Sequence, residues 1–190
     1  MNEANRHLNR EDWLVRALAT LDSEGIQGVK VERLAASLGV TKGSFYWHFE
    51  NLRDLHDSLL NYWSVELTQV TVTELDEMPR DPRLRLLWLV GRIADGRLNE
   101  HDRGMRSWAR IDPHVEEVVR GVDAKRLAYV RELFLDMGFS ECDAEVRSRL
   151  AYFYVLGEQT AGLDTTAEAT TALVEARHRL LTDLRFKGEE

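Results

Sequence analysis

The chain has 190 residues, 44% of them hydrophobic and 31% charged, which is enough apolar content for a sizeable core and excludes global disorder. A single cysteine, Cys142, excludes an intrachain disulfide and points to a reducing compartment. The net charge of −8 argues at first against nucleic acid, but it is unevenly spread: residues 1–50 hold six basic and seven acidic residues (net −1), and residues 51–190 hold nineteen and twenty-six (net −7).

The first residues, MNEANRHLNREDW, are polar and carry acids, unlike a secretory leader, and the apolar run around LLWLV is too short to span a bilayer. A soluble cytoplasmic protein with no membrane partner is therefore expected. The pattern is helical almost throughout, with no alternating strand segment. Asn9 and Asp12 are spaced as a capping box, with Leu8 and Trp13 as a hydrophobic staple. Trp13, Leu14, Ala17, Leu18 and Leu21 then line one face, and Gly25 and Gly28 end the helix. A second helix runs from about Val31, with Leu34, Ala35 and Leu38 inward and Gly39 as its stop. Thr41 is placed to cap a third helix reaching about Phe49. Asn51 is placed to cap a long fourth, with Leu52, Leu55, Leu59, Tyr62 or Trp63, Leu67 and Val70 on one face and its end before Pro79.

Further on, Asp112-Pro113 is a good helix start, and that helix carries Val119, Val122, Tyr129 and Leu133 to a stop at Gly138. Ser140 with Asp143, and Thr165 with Glu168, have capping-box spacing for two last helices. The segment TAGLDTTAEATTA reads as a loop entering the second of these.

Residues 31–49, VERLAASLGVTKGSFYWHF, hold two short helices around a Gly-Val turn, the pattern of a helix-turn-helix whose second helix enters the DNA major groove. Phe45 and Phe49, four apart, supply its core side. Thr41, Lys42, Ser44, Tyr46 and Trp47 are left facing outward, and Gly43 lets backbone approach DNA closely. Free N–H groups at the start of this helix favour phosphate. Lys42 adds a point charge and Tyr46 a hydroxyl on a rigid ring, both suited to phosphate and so to register. Base readout falls to Lys42, Ser44, Trp47 or the Thr41 methyl.

The run LGVTKGSFYWHF, followed by Asn51 and Asp54-Leu55, resembles the DNA-binding domain of the TetR (tetracycline-repressor) family over roughly residues 8–65. The resemblance implies an all-α protein: an N-terminal three-helix helix-turn-helix DNA-binding domain at 8–65, with its motif at 31–50, joined to a helical ligand-binding and dimerisation domain at 66–190. It implies a homodimer made by the last two helices, and DNA contact from Thr41, Lys42, Ser44, Tyr46, Trp47 and His48; the alternative for His48 is packing. Lys30, Gly43 and Arg53 complete the expected contact set.

The chain also departs from the family's pattern. Val29 or Lys30 stands where a capping Thr is common. Leu52 stands where a basic residue contacts phosphate, with Arg53 one residue on, and Glu50 occupies another commonly basic position. These departures predict weaker or more salt-sensitive DNA binding.

For an unknown small-molecule effector, Trp63, Trp88, Met105 and Trp108 are pocket candidates, with ordinary core as the other reading. Residues 80–112 hold eight arginines against five acids (net +3), so Arg92, Arg103 and Arg106 either receive an anionic ligand or form a solvated face. Leu150, Tyr154, Gly157, Leu173, Ala176, Leu180 and Leu184 have the spacing of a dimer face or of the chain's own core. His101-Asp102 lacks companions at metal-ligand spacing, and there is no nucleophile elbow, phosphate loop or carboxylate pair. No metal, cofactor or enzymatic activity is expected. The function implied is a ligand-responsive repressor that binds a palindromic operator on duplex DNA as a homodimer. The alternative is a helical ligand- or protein-binding dimer without specific DNA recognition.

Overall fold

The computed structural model describes residues 8–96, 98, 100–161 and 167–186. Among them the chain is all-α, with ten helices and two compact units: residues up to 69 together with 101–119, and residues 70–100 together with 120 onward. The first unit is thus discontinuous in sequence. Residues 101–119 join the N-terminal helices, although the sequence reading left them in the C-terminal part.

In the first unit, α1 (Arg10–Glu24) begins with the expected capping box: Asn9 Oδ1 accepts from the Asp12 amide at 2.9 Å, and Asp12 Oδ2 accepts from the Asn9 amide at 2.8 Å. Its apolar face, Trp13, Leu14, Ala17, Leu18 and Leu21, is buried throughout. α2 (Val31–Ser37) buries Val31, Leu34 and Ala35, and the turn after it passes through Gly39 at φ +69°, a backbone state that favours glycine. α3 (Lys42–Tyr46) is shorter than expected and gives way to a turn at Trp47 and His48, where the amides of His48 and Phe49 both donate to the Phe45 carbonyl. α4 (Leu52–Asn61) is capped by Asn51, whose Oδ1 accepts from the amides of Arg53 and Asp54.

The long fourth helix is not regular. A five-residue π turn, Tyr62–Glu66, separates α4 from α5 (Leu67–Asp76). The wider turn buries both Tyr62 and Trp63, where regular spacing offered a choice between them. Tyr62 donates to Glu11 Oε1 at 3.2 Å, and Trp63 Nε1 donates to buried Asp102 at 3.1 Å. Asp102 opens α7 (Asp102–Ala109), which packs on α1. The start of α8 (Pro113–Asp136) follows, with Asp112 Oδ1 accepting from the amides of His114 and Val115.

The second unit is built from α5 beyond residue 70, α6 (Pro82–Ala94), the rest of α8, α9 (Glu141–Ala161) and α10 (Ala167–Thr182). Its core joins Leu86 and Val90 of α6, Leu133 and Phe134 of α8, Phe139 of the turn after α8, Ala144 and Ala151 of α9, and Val174 and Leu181 of α10. Each such buried side chain contributes about 1.5–3 kcal/mol of hydrophobic stabilisation when large. Polar ties lock α10 to its neighbours. Arg83 donates to the Thr182 carbonyl at 2.7 Å, and buried Arg147 donates to the Leu181 carbonyl at 2.6 Å while its guanidinium lies over the Phe139 ring. Ser140 accepts from the Asp143 amide at the start of α9, as its spacing predicts. Cys142 is exposed in the first turn of α9. Of the Thr165–Glu168 pair, Thr165 lies outside the described residues.

Candidate nucleic-acid interface

The short helix α3 is held from behind by aromatic packing. Phe45 is fully buried, with Trp13 edge-on at 5.4 Å and Phe49 stacked at 5.2 Å between centroids. Arg10 lies over the Phe49 ring, its guanidinium 4.9 Å from the centroid, and is itself bound to Asp54 and Ser58 of α4. Three elements therefore fix the orientation of α3 through one ring cluster. Truncating Phe45 removes about 3–5 kcal/mol from this support.

With its inner side so fixed, α3 presents the remaining side chains to solvent. Thr41, Lys42, Gly43 and Lys30 are exposed, Ser44 and His48 are half-buried, and Arg53 is exposed on the next helix. Tyr46 is 61% and Trp47 87% exposed, an unusual cost for two large rings unless something covers them. Thr41 occupies the N-cap position of α3 with extended backbone, but its side chain makes no capping hydrogen bond. The Ser44 amide donates to the Thr41 carbonyl at 3.0 Å instead. A helix of five residues also has a small dipole, so attraction for phosphate here rests on side chains more than on the helix start.

The charges on this surface are largely compensated, which the sequence reading missed. Lys42 Nζ lies 2.6 Å from Glu32 Oε1 on α2. That ammonium holds the Glu32 carboxyl below the ordinary carboxylate range. Arg33 pairs with Glu24, Arg10 with Asp54 at 3.3 Å, and Arg53 meets Asp57 at 4.0 Å. Lys30 makes no ion pair among the described residues.

The pocket candidates fall in both units. Trp63, Met105 and Trp108 are buried in the first, where His56 meets the Trp108 ring edge-on at 5.2 Å; Arg106 is half-buried and Arg103 exposed there. Trp88 and Arg92 belong to the second unit, where Arg92 lies over the Trp88 ring and binds both oxygens of Glu74 at 3.0 and 3.1 Å. Arg92 is thus occupied within its own unit. The second unit has a cavity of about 520 Å³ lined by Asp76, Arg80, Pro82, Arg85, Tyr129, Glu132, Leu133 and Asp136, none of them a sequence candidate. The Tyr129 hydroxyl is buried without a hydrogen-bond partner among the described residues.

The residues expected at a dimer face are exposed on the single chain: Leu150 57%, Tyr154 43%, Leu173 47%, Leu180 65% and Leu184 44%, with Gly157 and Ala176 exposed beside them. Val146 and Phe153, which the sequence reading did not include, extend the same apolar surface on α9. No group of three or more metal-ligating side chains gathers among the described residues, and none of the described helices is long and apolar enough to cross a membrane.

Residues 14–59 match the family model described as bacterial regulatory proteins, tetR family. The chain is 30% identical over 152 residues to the class C tetracycline repressor protein of Escherichia coli, covering 79% of this chain and 64% of that protein. It is 33% identical over 85 residues to the nucleoid occlusion factor SlmA of Salmonella dublin, covering 43% of each. The chain thus spans less than two thirds of the length of either curated relative. Among solved structures it resembles a transcriptional regulator from Rhodococcus sp. Rha1 at TM-score 0.69 and 17% identity, covering 92% of this chain and 96% of that one. It also resembles the fatty acid degradation regulator FadR from Bacillus halodurans at TM-score 0.65 and 17% identity, covering 98% and 100%. At these identities the structural likeness shows the fold.

Proposed function

The chain belongs to the TetR family of bacterial regulatory proteins, and from that premise we propose that it is a sequence-specific transcriptional regulator, a cytoplasmic ligand-responsive repressor that binds a palindromic operator as a homodimer. The observation that carries this reading is the exposed set on and around α3, backed by the buried Phe45–Phe49 pair. The DNA contacts proposed are Lys30, Thr41, Lys42, Gly43, Ser44, Tyr46, Trp47, His48 and Arg53, with 8–65 as the reader and the C-terminal helices as body. The exposed apolar faces of α9 and α10 support a symmetric pairing of two chains. Two readers on one dimer then meet half-sites about one helical turn of DNA apart, roughly 34 Å. An effector that prefers the state with mismatched readers weakens DNA binding, by about 1–3 kcal/mol in typical couplings, and DNA weakens effector binding equally.

The test is selection of bound duplexes from a random pool, followed by footprinting of the enriched sequence. Lys42→Ala is expected to lower the salt slope on the enriched duplex by about one, and Tyr46→Phe to weaken binding to all sequences alike. Failure to enrich any sequence at low ionic strength overturns the reading. It would favour a helical binding dimer without specific DNA recognition, to which Leu52 and the ion-paired Lys42 already lend support.

A further inference from the structure

We infer that Glu32 is a specificity-determining residue that holds Lys42 away from phosphate until a matching base edge displaces it. The inference rests on the DNA-binding reading above. Glu32 lies in the first turn of α2 and Lys42 in the first turn of α3, and their head groups meet at 2.6 Å across the helix-turn-helix with side chains 61% and 59% exposed. The carboxylate thus stands on the same surface as the residues proposed to meet DNA. An exposed ion pair of this kind is weak, but releasing Lys42 to phosphate leaves the Glu32 carboxylate unpaired against the same phosphates unless a donor on the DNA takes its place.

The two possible partners on DNA are chemically different. Phosphates are present along every sequence and attract Lys42, but they repel Glu32 at the same range. A carboxylate can accept only from a donor, and in the major groove the donors are the exocyclic amines of cytosine and adenine. On a duplex that places such an amine against α2, Glu32 exchanges the ammonium for the amine, and Lys42 becomes free to neutralise a phosphate. On a duplex without it, Glu32 keeps Lys42, and one phosphate contact is not made. Sequence recognition by Glu32 is thereby tied to affinity supplied by Lys42. Arg33 pairs with Glu24, Arg10 with Asp54, and Lys30 makes no ion pair among the described residues, so Lys42 is the cation paired with Glu32.

The experiment measures binding of the full chain to two probes, the duplex enriched by selection and random-sequence duplex DNA, over a salt series. The proteins are wild type, Glu32→Ala, Lys42→Ala and the double variant; both side chains are exposed, so the core is untouched. For Glu32→Ala, random-sequence binding is expected to tighten by up to about tenfold near 0.1 M salt, with a slope steeper by about one, the signature of one more released counterion. Binding to the enriched duplex is expected not to tighten, so the preference for it falls. Lys42→Ala is expected to weaken binding to the enriched duplex and leave random-sequence binding unchanged. In the double variant the slope on random DNA returns to that of Lys42→Ala. Equal tightening of both probes by Glu32→Ala, with or without Lys42, would show a bulk charge effect and overturn the inference while leaving DNA recognition standing. Equal weakening of both probes by Lys42→Ala would overturn it as well. Loss of any preference in the wild type overturns the DNA-binding reading, and this inference with it.

Discussion

His101 Nδ1 meets Asp22 Oδ2 at 2.6 Å and ties the start of α7 to the C-terminal half of α1. Gly104 lies against the same aspartate. A Cβ built on it would stand 2.5 Å from Asp22 Oδ1 and 3.1 Å from Leu21 Cγ, so α7 approaches α1 more closely than any side chain at 104 permits. With Asp22 held by His101, the carboxylate cannot move aside without losing that bond.

Gly104→Ala is therefore expected to destabilise the first unit by about 1–3 kcal/mol, the range for overpacking a filled contact. Urea unfolding followed by far-ultraviolet circular dichroism checks this. An unchanged midpoint would mean that the Asp22–His101 bond yields without cost.

Trp63→Phe removes the indole donor while leaving an aromatic ring in the core. Asp102 is 2% exposed and then loses one of its hydrogen bonds without gaining water. The expected loss is about 1–3 kcal/mol, the cost of a buried polar group deprived of a partner. Trp63→Ala would lose more, because a cavity is added. Denaturant titration of both variants separates the two contributions.

Low pH is expected to destabilise the fold through two histidines. Burial pushes the His56 imidazole below its ordinary value near 6.5, an effect partly offset by Asp57 and Asp112. Burial likewise pushes His178 down, against a hydrogen bond to the Arg83 carbonyl. A depressed imidazole favours the neutral form when folded, so the unfolded chain binds more protons between the two values. Stability is complete above about pH 6.5 and falls as pH drops from there toward the folded values. Thermal unfolding measured from pH 7.5 to 5 is expected to show this decline, with a shallower slope in His56→Gln. A midpoint that rises on acidification through this window contradicts it.

Leu180 is the most exposed of the leucines on α10, at 65%, and Leu150 is 57% exposed on α9. Leu150→Glu with Leu180→Glu is expected to weaken the proposed dimer by about 2 kcal/mol or more, as removal of central apolar anchors does at interfaces. Sedimentation velocity over a concentration series reads the shift to monomer. Unchanged circular dichroism would confirm that neither residue serves the chain's own core.

Local signals in the sequence were strong where the chain itself carried them. The capping pairs at Asn9, Asn51 and Asp112 need only neighbours in sequence, and the apolar face of α1 follows from its spacing. The buried pair Phe45 and Phe49 was legible for the same reason. Contacts between distant segments were not. Gly104 carries no side chain to announce that α7 packs on α1, and the partner of Lys42 sits ten residues away on another helix, where only the turn geometry brings it near. Leucines bound for the core and leucines left on the surface share one periodicity, so Leu133 and Leu180 could not be told apart by spacing. Thr41 had the right type and place for a cap, yet its hydroxyl makes no such bond.

The π turn at Tyr62–Glu66 has a bearing on protein engineering. One residue more than a regular turn is accommodated there, and in a regular helix one residue corresponds to a rotation of about 100°. A chimera that joins this reader to a foreign body through an ideal helix would deliver every downstream side chain on the wrong bearing. Transplanting the segment whole, irregularity included, keeps the phase.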